Sequence, residues 1–368
     1  MKKILETLLI GLFFLWACSD DSTYSYEITG VTDAGEFIDT RDNKTYHCIE
    51  IGDQIWMAEN LAYLLPGGNL AGCATWQETY FDTLSVPLND SEFREALSTA
   101  LETGEIDESP CMDSLNNFML GYGVDESSEW YEMYYEMFAP TYLPSVYLKS
   151  NPDASYDKIM SDMKDSISGN CYYLIYPQIE LFANNMRISK IPEYALTNYK
   201  KAEENNGNYS QTYGMLYSYE AALKAVPSEG DWRLPTDEDW KKLERFLGMS
   251  EGEVLKDNDW RGTNQAEYLK ADKNGIGFNA LYGGGKIYTP QYNKMEDDQT
   301  FINKGRNAYF WSSENLAETD STRVGIMRSI ATWTNQILRS TTRFENEDGH
   351  PTMYNVRLVK DKKLEFNL

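Results

Sequence analysis

WRLPTDEDW, residues 232–240, spells out the start of a helix in its side chains. Thr236 is a strong N-cap, and Asp239 stands three residues on, where a capping box returns a side chain to the cap backbone. Asp237, Glu238 and Asp239 place negative charge where the helix dipole is positive. Trp240, Leu243, Phe246 and Leu247 follow on one apolar face, and Gly248 is a natural stop. An amphipathic helix therefore begins here, entered from an extended Trp232–Pro235 segment.

Working outward, Tyr213–Lys224 reads as a helix ending before Pro227. Gly275–Gly285 and the segments around Phe310-Trp311 and Val356–Val359 read as short strands joined by long polar loops. Toward the N-terminus, Thr45–Ile51 alternates as a strand does, after an Arg41–Lys44 turn signal. Gly52-Asp53 supplies the next turn before Gln54–Met57, so this segment reads as a small antiparallel meander. Between about 64 and 206 the period changes. Phe93, Leu97 and Leu101 mark one amphipathic helix; Tyr156, Met160, Met163 and Ile167 mark another. Pro192 followed by Glu193–Leu196 predicts a third, with proline near its first turn. The aromatic run Trp130–Phe138 is expected to be the core of this helical insertion rather than a stacking platform.

Composition narrows function. Of 368 residues 42% are apolar, ample for a packed core, and the net charge is −25. So acidic a chain repels nucleic acid, which demands clustered Lys and Arg, and anionic lipid surfaces are disfavoured likewise. Neutral ligands such as uncharged glycans fit better. His47 and His350 are the only histidines, so a three-histidine metal site is impossible. His47 lies within a strand and is expected to be structural. Cysteines stand at 18, 48, 73, 111 and 171 with no CxxC pair, which argues against zinc ribbons and thioredoxin-like sites. Apart from Cys18 they number four, for which three pairings exist; Cys73–Cys111 is favoured because both lie in the inserted segment.

The first residues, MKKILETLLIGLFFLWAC, join a basic start to an apolar run at Leu8–Trp16. A bilayer-spanning helix needs roughly twenty apolar residues, so this is a signal segment. Ala17-Cys18 resembles the lipobox of bacterial lipoproteins, although Trp16 is bulky for it. The resemblance implies lipidation of Cys18, cleavage before it, and a membrane partner reached through the lipid anchor, because several acyl chains hold where one does not. Ser19–Ser22 then begins an acidic tether, resembling an export signal for the outer face of the outer membrane. The expected location is an outer-membrane lipoprotein exposed at the cell surface.

Seven segments in order resemble the Fibrobacter succinogenes major paralogous domain: Asp39–Tyr46, Ile51–Leu61, Tyr213–Tyr217, Trp232–Trp240, Gly283–Gly285, Trp311–Ser313 and Val356–Asp361. Trp232–Trp240 is also similar to formylglycine-generating-enzyme-type domains, which share the C-type-lectin-like fold. The resemblance implies an α+β, C-type-lectin-like domain of short antiparallel strands and long loops, interrupted by a largely helical insertion. The expected partition is a signal segment 1–17, a tether 18–26, a first domain part 27–63, the insertion 64–206, a second part 207–362 and a tail 363–368. Val226 and Leu358 stand where the family often has cysteines.

Catalytic constellations are weak. Formylglycine-generating enzymes use paired cysteines near the C-terminal end, and this chain has none after Cys171. With 58 acidic residues, close carboxylate pairs are guaranteed by chance, so no glycosidase pair is singled out. The Gly283–Gly285 run lacks the Lys-Ser/Thr of a P-loop and reads as a tight turn or close backbone approach. Glu296–Asp298 and Glu345–Asp348 offer oxygen ligands for calcium, but without EF-hand spacing; no cofactor is expected. Trp56, Trp232, Trp240 and Trp311 are expected in the core. Tyr288, Tyr292 and Trp333 fall in the long loops and are the expected ligand contacts. The leading expectation is a non-catalytic, surface-anchored binding or adhesion module for a neutral glycan or a surface protein. The alternatives are an extracytoplasmic carbohydrate-active enzyme with its site between insertion and core, and a purely structural surface protein.

Overall fold

The computed structural model describes residues 28–166, 170–287, 300–316, 323–345 and 349–363. The leader with Cys18, the loop with Tyr288, Tyr292 and Glu296–Asp298, and most of Glu345–Asp348 lie outside the described residues. Within them the chain is a mixed α+β structure with small antiparallel sheets.

The meander forms as expected. Strands β1 (Val31–Asp39), β2 (Lys44–Ile51) and β3 (Gln54–Met57) pair antiparallel in sequence order. Asn43, at the first turn, has a φ of 59° and Gly52, at the second, 64°, conformations that Asn and Gly tolerate best. Two short ladders follow: β4 (Cys73–Ala74) with β5 (Leu216–Tyr217), and β7 (Gly285–Lys286) with β8 (Phe301–Ile302). The second four-stranded sheet runs β6 (Asp259–Arg261), β11 (Ile337–Arg343), β10 (Val324–Ala331), β9 (Asn307–Asn315). Strand β12 (Val359–Asp361) returns to the first sheet and pairs with β3.

The segment expected as an insertion carries α1 (Asp90–Thr103), α2 (Ser109–Gly121), α3 (Tyr131–Phe138), α4 (Pro144–Ser150), α5 (Tyr156–Ser166) and the 37-residue α6 (Asn170–Asn206). Asn89 caps α1 by accepting from the backbone N–H groups of Ser91 and Glu92, and Gly104 ends it in a left-handed conformation. Phe93, Leu97, Leu115, Met119, Ile159, Met163, Ile175 and Ile179 make a core of their own, each large side chain contributing about 1.5–3 kcal/mol. Helix α3 turns Tyr134, Tyr135 and Phe138 toward that core and leaves Trp130, Met133 and Met137 exposed. Residues 65–76 pack elsewhere: Leu65 and Cys73 join Tyr217 and Trp311 in the core of the β-rich part, and Trp76 joins Tyr209 and Phe301.

Four expectations are corrected. The disulfide joins Cys111 to Cys171, not Cys73 to Cys111; it ties α2 to α6 inside the core those helices share. Cys73 is a buried free thiol donating toward the Tyr63 carbonyl, in a different core. Pro192 lies inside α6 rather than near a helix start. An interior proline costs about 3 kcal/mol, which the burial of a long helix on two cores outweighs. Tyr213–Lys224 is not one helix but α7 (Tyr209–Tyr213), β5 and α8 (Tyr219–Ala225). The break is at Gly214, where a side-chain carbon would sit 2.6 Å from Asn60 Cβ and 2.7 Å from the Leu61 carbonyl. Residues 275–284 form a loop rather than a strand, holding Phe278 in the core.

Helix α9 (Asp237–Phe246) starts where its capping residues dictate, with the reciprocal Thr236–Asp239 box formed. Its Trp240, Leu243 and the following Leu247 bury against Ile51 and Trp56 of the first sheet and Phe310, Ile330 and Ile337 of the second. Its polar flank is buried too. Arg328 and Arg339 face each other across β10 and β11, a repulsive pairing, and Asp237 bridges both at 2.8 Å. Glu244 Oε1 accepts from Arg261 at 2.5 Å and Arg328 at 2.7 Å, all three side chains being fully buried. Burial alone would raise Asp237, but Arg339, Arg328 and Lys241 hold it well below the usual carboxylate range. Short α10 (Glu251–Val254) offers the Val254 carbonyl to Arg261, and α11 (Gln265–Leu269) completes the second core.

Candidate functional site

Residues of the recurring segments are largely consumed in holding the chain together. Fully buried Arg357 donates to Asn60 Oδ1 and to the carbonyls of Met57, Phe278 and Asn279, with its guanidinium 4.5 Å from the Phe278 ring centre. Trp311 donates to the Tyr217 carbonyl at 2.7 Å, and Asn355 donates to those of Tyr213 and Met215. The glycine run allows close approach: side chains at Gly283 and Gly284 would collide with Tyr209 and Trp76, at 2.8 and 2.7 Å. Trp56, Trp232, Trp240 and Trp311 are all buried.

Of the three expected ligand contacts only Trp333 is described. It is 65% exposed and packs edge-on against Trp260 at 4.7 Å, forming a surface aromatic pair. His47 lies on the sheet surface across from Glu36, and His350 stands edge-on to Tyr80. Among the described residues no group of three His, Cys, Asp or Glu is placed to hold a metal ion, and no helix is long and apolar enough to cross a membrane.

A recess opens along the surface of α6. It has a volume of about 310 Å³ and runs between the second half of α6 and the 77–85 segment. Tyr194, Asn198, Lys201 and Asn205 line it from the helix; Gln77, Thr79, Tyr80 and Ser85 line it from the other wall. Tyr80 is 41% exposed, and Phe81 is buried edge-on against Tyr194. Gln77 has a φ of 55°, unfavourable for a residue with a side chain and fixed by the Thr75–Glu78 turn. Beyond Tyr194 a second cavity of about 220 Å³ continues along α6, bounded by Val86–Asn89 and Lys190. No motif marks this groove in the sequence. Its one legible trace is the density of amides and tyrosines on both walls.

Two carboxyls lie behind the inner wall. Glu203 accepts from Ser210 through both backbone and hydroxyl, and from Thr75 Oγ1. Glu78 Oε2 accepts from the Thr75 backbone at 3.0 Å, while Oε1 is buried without a hydrogen-bond partner. Burial pushes Glu78 up to about 7, against the pull of the Thr75 N–H and Lys286. A carboxyl raised by folding binds its proton more tightly in the native state, so stability falls as pH rises from about 4.5 to about 7. The expected size of that loss is about 3 kcal/mol. Denaturant titrations at pH 4, 5.5 and 7.5 should show the slope in the parent and not in Glu78→Gln; equal slopes would refute the assignment.

No curated protein and no solved structure matches this chain. The sequence model of the Fibrobacter succinogenes major domain matches residues 167–360, from α6 through the second four-stranded sheet to Lys360 in β12. The meander strands β1–β3 precede that span, yet share a sheet with β12. With more than half of its length so matched, the chain belongs to the Fibrobacter succinogenes major domain family.

Proposed function

We propose that this is a non-catalytic binding module, tethered to the outer membrane at the cell surface by acyl chains on Cys18, that takes a neutral glycan in the groove between α6 and residues 77–85. The core is read as C-type-lectin-like, and both walls of the site lie in the 64–206 segment read as its insertion. The observation that carries the proposal is the groove lining. Tyr80 and Tyr194 supply aromatic surface, while Gln77, Asn198 and Asn205 supply paired donors and acceptors suited to hydroxyl groups. The acidic net charge disfavours polyanions and leaves uncharged sugars unaffected.

A glycan array probed with the 22–368 fragment tests this. Retention of a neutral glycan is expected, with Tyr80→Ala and Asn198→Ala each weakening binding about tenfold, the equivalent of ~1.4 kcal/mol. Loss of no affinity in either variant would move the site away from the groove, and retention of nothing at millimolar concentration would favour a structural surface protein. The carbohydrate-active alternative draws on Glu78, whose raised value suits a general acid. Against it, Glu78 and Glu203 are 2% and 5% exposed and lie behind the wall instead of facing the groove. Release of reducing sugar from a retained glycan, abolished in Glu78→Gln, would decide for the enzyme.

A further inference from the structure

Helix α6 carries an exposed apolar stripe on the side away from the groove. Leu174, Leu181, Ile188 and Leu196 are 50%, 62%, 54% and 40% exposed, and Pro177 and Pro192 are exposed beside them. At 100° per residue these six fall within an arc of about 100°, along roughly 33 Å of helix. Leucines this exposed, in a row, need a cover.

The exposed apolar positions of the stripe are placed symmetrically about Asn184-Asn185: Leu174, Pro177 and Leu181 on one side, Ile188, Pro192 and Leu196 on the other, with Gln178 and the buried Ala195 also within the arc. Pro177 and Pro192, and Leu181 and Ile188, are equidistant from the Asn184–Asn185 step; Leu174 and Leu196 are so to within one residue. A surface that reads alike in both directions is complementary to itself under a two-fold rotation. The stripe itself adds nothing to the repulsion between copies. Two copies of a chain at −25 repel, yet the stripe and its flanking Gln178 and Ser189 hold no charged residue.

We infer that α6 is the interface of a symmetric homodimer, in which the helices of two copies pair antiparallel. In that register Leu181 meets Ile188 of the second copy, Leu174 meets Leu196, the prolines meet each other, and Asn185 meets its own counterpart near the axis. Paired asparagines in an otherwise apolar seam fix register, because a slip would strand their amides against leucine. The groove residues Tyr194, Asn198, Lys201 and Asn205 face the other way, so a dimer presents two open grooves on one rigid spine. Two sites on one particle raise avidity for a repeating ligand with no new contact.

The test uses the full chain with Asn185→Cys, oxidised gently and run on a non-reducing gel. A covalent species of twice the reduced chain's mass is expected, absent from the parent and from Leu223→Cys, an exposed position on α8. Adding Leu181→Glu should reduce the cross-linked yield at least about fivefold, and adding Ile188→Lys to that variant should restore it, since the two positions face each other between copies. These positions are exposed, and unchanged circular dichroism melts confirm that the variants fold. A monomeric Asn185→Cys chain, a cross-link to a species of any other mass, or a yield indifferent to Leu181→Glu would overturn the inference.

Discussion

An Arg357→Met chain is expected to lose about 4 kcal/mol of folding free energy, a large part of the stability of an ordinary domain. Methionine fills much of the space but donates nothing. Asn60 Oδ1 and the Met57, Phe278 and Asn279 carbonyls lose a donor that water cannot easily replace, since Arg357 is 1% exposed. Each buried acceptor left unpaired costs about 1–3 kcal/mol. Arg357→Lys should recover little, because one ammonium lacks the planar fork that reaches four acceptors at once. Urea unfolding followed by tryptophan fluorescence measures both. A loss below about 1 kcal/mol for Arg357→Met would mean that the loop at Phe278 is held by other means.

The second large effect is at Glu244. Removing its carboxylate leaves the Arg261 guanidinium fully buried without its ion pair and takes one of two carboxylates from Arg328, which keeps Asp237. Breaking one side of such a cluster costs about 3–5 kcal/mol, mostly from the uncompensated charge left behind. Glu244→Leu should therefore be severely destabilised, while Glu244→Leu combined with Arg261→Met should regain most of the loss. The comparison separates the worth of the pair from the damage of splitting it. If the double variant is no more stable than the single one, the network is needed for its shape rather than for charge balance.

Local chemistry made part of this architecture readable in advance. The start of α9 is written in Thr236 and Asp239, three residues apart, and the meander in alternation and turn residues, so neither depends on distant sequence. The features that escaped are all non-local. Gly214 breaks a helical pattern because Asn60, more than a hundred residues upstream, needs its space. Cys171 rather than Cys73 reaches Cys111 because two helices stack in one core and Cys73 belongs to another. The groove joins residues 77–85 to residues 194–205, and neither segment means anything alone. Trp333 was recognisable as a loop aromatic, but its partner Trp260 comes from β6, more than seventy residues upstream.

The pairing of β12 with β3 has a consequence for biosynthesis. As the polypeptide emerges residue by residue, β3 waits with a bare edge through some three hundred further positions until Val359–Asp361 arrive. The guanidinium that ties Met57 to Phe278 arrives at nearly the same moment. The α1–α6 bundle needs nothing beyond its own span to bury Phe93, Leu115 and Ile175, and its cross-link closes within that span as well. Maturation is thus ordered in time, bundle first and sheets last, and a nascent chain stalled a few codons early would hold a finished bundle on an open, adhesive scaffold.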